Sequence, residues 1–227
     1  MPSAPPLCTP EFERLLKRLA EDITDAAVFQ RLRTNLDASI NEYSREFNES
    51  NTFWSLSLQA LDEAVLCRLG RMYVSQRDAL SLLAWLKAIR DSPQLFPTAP
   101  DPIQLGKDIE SVGNKDLLVK KLICLRGNFV AHINWEHTAG GGTKIKRDSF
   151  ALTWDEIDRL IARAADILNR YSTLFNQSHW SMDIAGRDDY KGVLKAVRSE
   201  LERCDAEIAS DIERATRQSS PEPSAST

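Results

Sequence analysis

The chain has 227 residues, of which 42% are hydrophobic and 27% charged, with nine glycines, four cysteines and a net charge of −4. That is enough chain to bury a full core in one large domain. It holds no apolar run near the about eighteen residues a membrane span needs, and its opening MPSAPPLCTPEFERL has neither a basic start nor an apolar stretch, so a cytoplasmic protein without signal peptide or membrane span is expected.

Cys8, Cys67, Cys124 and Cys204 stand far apart, with no C-x-x-C pair or histidine cluster. The spacing argues against zinc and against a disulfide framework, and predicts reduced cysteines acting as small hydrophobes. Walker loop, G-x-S-x-G elbow and dinucleotide glycines are missing, so no cofactor and no metal are expected. Apolar residues recur at three-four spacing with few alternating runs, which predicts an all-α fold.

Residues 1–8 are Pro/Ser-rich and are expected to be a flexible N-terminus. Thr9, Pro10 and Glu11 then read as N-cap, first helical position and early acid of a short helix that opens a single all-α domain over residues 9–217. Phe29, Leu32, Leu36, Ile40, Tyr43 and Phe47 predict a second helix from about Ile23 to Phe47. A third, from Thr52 to about Tyr73, carries Trp54, Leu58, Leu61, Val65, Leu69 and Met72, with Leu56 and Leu66 widening its apolar face, and is expected to be central. Ser75 and Asp78 resemble a capping box for a helix with Leu82, Leu83, Leu86 and Ile89 inward, ending before Pro93.

Pro93, Pro97, Pro100 and Pro102 predict a loop that packs through Leu95 and Phe96. A short helix over Pro102 to Ser111 and a turn at Val112-Gly113-Asn114 follow. Thr153 and Glu156 form a capping box for a helix whose Ile157, Leu160, Ile161, Ala164, Ile167, Leu168, Tyr171 and Leu174 face inward. Asp188-Asp189 starts a last long helix with Tyr190, Val193, Val197, Leu201, Cys204, Ile208 and Ile212 on one stripe. Residues 218–227 are expected to be a disordered tail.

Lys115 to His137, KDLLVKKLICLRGNFVAHINWEH, is the stretch with chemistry in it. Leu118, Leu122, Leu125 and Phe129 predict an amphipathic helix, and Arg126 and His132 fall in its last turns. Gly127 inside it marks close backbone approach, a distortion or an approaching end. A histidine near pKa 6.5 moves a proton between oxygens at neutral pH, and a guanidinium grips a phosphate by two parallel hydrogen bonds. Those are the needs of metal-free RNA cleavage, in which the 2′-OH is the nucleophile. Six residues at about 100° each set the pair roughly 120° apart on an ideal helix. They converge only through distortion at Gly127 or across a two-fold axis between two copies. Asn128, four residues before His132, shares its face and could orient the imidazole or a phosphate oxygen.

Residues 115–147 hold seven Lys/Arg against two acids, a local +5, and the other 22 Lys/Arg and 31 Asp/Glu leave −9. The charge run is either a solvated face or an RNA-binding surface. Gly140, Gly141 and Gly142 precede Lys144, Lys146 and Arg147, the candidate RNA contacts, in a segment read as mobile. Trp54, Trp135 and Trp154 could stack on bases but are expected to pack; His137 and His179 are expected to have no role.

At Leu125-Arg126-Gly127-Asn128-Phe129-Val130-Ala131-His132 the chain resembles the HEPN superfamily, helical bundles whose active members carry Arg, four to six residues, then His. Asn51-Thr52-Phe53-Trp54, the Leu66 to Tyr73 segment, Ala131-His132 and Leu152-Thr153-Trp154-Asp155-Glu156 resemble its abortive-infection U-type branch. The resemblance covers roughly residues 25–200. It implies an antiparallel helical bundle with a long C-terminal helix. It also implies a metal-independent endoribonuclease that acts as a homodimer in phage defence or as a toxin, with Arg126 and His132 at the catalytic positions and RNA, an antitoxin or a defence protein as partner. Gly127 stands where many active relatives have a polar residue. Asn134 stands where some toxin relatives carry the tyrosine modified by an antitoxin, so silencing by that route is not expected. The alternative is a catalytically inactive helical module for dimerisation or partner binding.

Overall fold

A computed structural model describes residues 8–74, 79–125, 152–183, 186 and 188–219, and among them are eight α-helices, one short 3-10 turn and no strand. The fold is an all-α bundle with a long C-terminal helix. Among the described residues no helix is long and apolar enough to cross a membrane.

The first element corrects the sequence reading. One 31-residue helix, α1 (Thr9–Ser39), replaces the short helix and the first two-thirds of its successor. Cys8 is its N-cap, and the Glu11 carboxylate accepts the Cys8 backbone N–H at 3.1 Å. Neither glycine nor proline occurs between Pro10 and Ser39, so nothing interrupts the hydrogen-bond ladder. A turn at 40–43 ends it, and Tyr43 and Phe47 belong to that turn and to α2 (Ser44–Glu49).

α3 (Asn51–Met72) lies antiparallel along α1. Arg33 of α1 donates to Asp62 at 3.0 Å, while Asp22, three turns earlier, accepts from Arg68 at 2.7 Å and Arg71 at 2.6 Å. The helix enters both apolar clusters, but Leu56 does not widen its inward face as expected. Trp54, Val65, Leu69 and Met72 are buried, but Phe53 and Leu56 are exposed to solvent.

α4 (Leu82–Asp91) starts later than the Ser75 reading, whose residues 75–78 lie outside the described ones. Its cap is Ser81, whose hydroxyl accepts from the Ala84 N–H at 3.2 Å. The 3-10 turn Pro93–Leu95 follows, and Phe96 is buried, so the proline loop packs as expected. α5 (Pro102–Ser111) is capped by Asp101. α6 (Leu117–Leu125), α7 (Trp154–Asn176) and α8 (Tyr190–Ser219) complete the order, and α8 runs two residues into the stretch expected as tail.

The main core joins α1, α3, α4, α5, α6 and α7 around Phe12, whose ring lies 4.6 Å from Phe175, 5.4 Å from Phe96 and 5.7 Å from Trp85. A second, smaller cluster of Leu36, Tyr43, Phe47, Trp54 and Leu194 holds α8 to the far ends of α1 and α3. On α8 the fully buried residue is Leu194, while Val193, the one read as inward, is 54% exposed. The inward face here lies one residue later than the predicted stripe.

Candidate functional site

Arg126, Asn128 and His132, together with Lys144, Lys146 and Arg147, lie outside the described residues, as do Trp135 and His137. What the structure does show is the pair of helices between which that segment is strung. α6 is described as far as Leu125, one residue before Arg126, and α7 is capped at Thr153.

α6 forms because Asp116 caps it, its carboxylate accepting from the Leu118 and Val119 N–H groups at 2.9 and 3.1 Å. Val119 and Leu122 are fully buried, while Leu118 and Leu125 are only half-buried, so the inward face is turned slightly from the Leu118, Leu122, Leu125 stripe. α7 opens on the expected reciprocal capping box: the Glu156 N–H donates to the Thr153 hydroxyl at 3.2 Å and the Thr153 N–H donates to the Glu156 carboxylate at 3.1 Å. Ile157, Leu160, Ile161, Ala164, Ile167, Leu168 and Tyr171 are buried as read, with Phe175 in addition and Leu174 only half-buried.

Two side-chain ties clamp the helices together. Lys121 of α6 donates to the Glu156 carboxylate at 2.7 Å, and Arg163 of α7 reaches Asp116 at 3.2 Å and the Ser111 carbonyl at 2.6 Å. The Lys121 hydrogen bond, followed by the Thr153 N–H, holds the Glu156 carboxyl below the usual glutamate range. Sequence reasoning found Glu156 as a cap but missed it as the anchor of α6, because its partner stands 35 residues away with no local signature. Lys121 is therefore not an open member of the basic segment.

On the other side of the capping box, the Arg33 guanidinium lies 4.1 Å from the Trp154 ring centroid and also holds Asp62. Trp154 thus has one face covered by an arginine from α1. Trp54 packs on Phe47 at 4.9 Å and is buried, as expected of a core tryptophan. His179 is exposed. All four cysteines are free, but Cys8 and Cys67 are exposed rather than acting as buried hydrophobes.

The AbiU2 family model of the HEPN class matches residues 9–196, well over half of the chain. The chain belongs to the HEPN AbiU2 family. No curated protein and no solved structure matches it. The AbiU2 match opens on the first residue of α1, runs through both clamped helices and the Arg126 to His132 stretch between them, and closes just past Leu194. The rest of α8 lies beyond the match.

Proposed function

We propose that this chain is a metal-independent endoribonuclease of the phage-defence or toxin type, working in the cytoplasm as a homodimer with Arg126 and His132 as its catalytic pair. The observation that carries the reading is the HEPN family match across Arg126 and His132, which have five residues between them, within the spacing of the superfamily's motif. The clamp of α6 on α7 supports it, since a catalytic segment gains from being strung between fixed ends.

In the proposed reaction the ribose 2′-OH attacks the adjacent phosphorus, the bond to the 5′-oxygen breaks, and a cyclic phosphate is left. His132 moves the proton at an oxygen, and Arg126 holds the phosphate as its negative charge grows. One histidine serves one end of the proton transfer, so a second copy brings the other. Asn128 orients the imidazole or a phosphate oxygen, and Lys144, Lys146 and Arg147 hold the RNA backbone.

The test is expression in cells with sequencing of new RNA ends, wild type beside His132→Ala. General acid–base catalysis is typically worth about 10² to 10⁴ in rate, so the variant should lose detectable cleavage and keep its helical signature. Arg126→Lys should fail as well, because an ammonium lacks the planar two-point grip. Cleavage should persist in EDTA. A requirement for a divalent ion, or activity surviving His132→Ala, would overturn this assignment, and no cleavage by the wild type would leave an inactive dimerisation or partner-binding module, which the exposed Ile208 and Ile212 of α8 favour.

A further inference from the structure

No further inference is drawn: the strongest candidate, the cavity of about 220 Å³ between α2 and α8, is an acidic cluster of Glu42, Glu46 and Glu202 whose arginines Arg45 and Arg198 already pair with Asp205 and Glu46, and nothing else among the described residues points to a ligand there.

Discussion

Asp22 is 7% exposed on α1, and Arg68 and Arg71 both donate to the same oxygen of its carboxylate. Burial opposes its charge, but the two arginine hydrogen bonds outweigh that and hold its pKa below the usual aspartate value. A carboxyl whose pKa is lower folded than unfolded stabilises the fold fully above the unfolded value, about 3.9, and that stability is lost as pH falls through the folded value. We therefore expect Asp22→Asn to cost on the order of 2 kcal/mol near pH 7, the partly exposed arginines limiting the loss. The gap from wild type in urea titrations should close below about pH 4. An unchanged gap at pH 3 would mean that the cost is steric. Nothing in the local sequence singles out this residue, because its partners stand 46 and 49 positions on. The same blindness hides Asp108, which is 6% exposed and accepts from Tyr171 at 2.8 Å and Gln104 at 3.0 Å while pairing with Arg170.

Among the elements, α5 and α7 were legible because each begins at a cap visible within four residues: Asp101 with Pro102, and Thr153 with Glu156. α1 was misread for the opposite reason. Its continuity depends on the absence of a breaker, and the apolar residues past Ser39 kept their period across a turn that the second cluster shapes. Of the candidate site, the Arg126 and His132 motif was visible as a pattern, but the clamp that holds its two flanking helices was not. Glu156 separates the two functions of that clamp. Glu156→Gln keeps an oxygen and an amide for the capping box and removes the charge that Lys121 pairs with, whereas Thr153→Ala removes the cap and leaves the ion pair. Loss of the cap is expected to cost about 1 kcal/mol. The glutamine, at a half-buried pair, is expected to cost no more than that in stability yet, on the ribonuclease reading proposed above, to lower cleavage by a larger factor, because it frees one end of the segment carrying Arg126. Equal losses of stability and cleavage in the two variants would show that α7 alone positions the segment.

At the scale of the whole molecule, the two clusters divide the labour. The main core spans α1, α3, α4, α5, α6 and α7, and the smaller one attaches α8, with Leu194 as the residue of that helix that is fully buried. Tyr190, half-buried, adds a hydroxyl shared with Ser39 at 3.1 Å, and Arg198 pairs with Glu46 and lies 4.5 Å over the Tyr43 ring. Glu46, Ser39 and Tyr43 are buried and Arg198 is half-exposed, so these polar contacts attach the helix together with the apolar contact of Leu194. Leu194→Ala removes buried methyl groups and leaves a cavity among Leu36, Tyr43, Phe47 and Trp54, at an expected cost of about 2–5 kcal/mol. If the clusters open separately, native-state hydrogen exchange should show α8 losing protection by that amount. Amides of α4 and α7, packed around Phe12 and Trp85, should keep theirs. A uniform loss across all helices would mean that the second cluster and the main core fold as one unit. In that case α1, which runs through both, transmits the damage along its 31 residues.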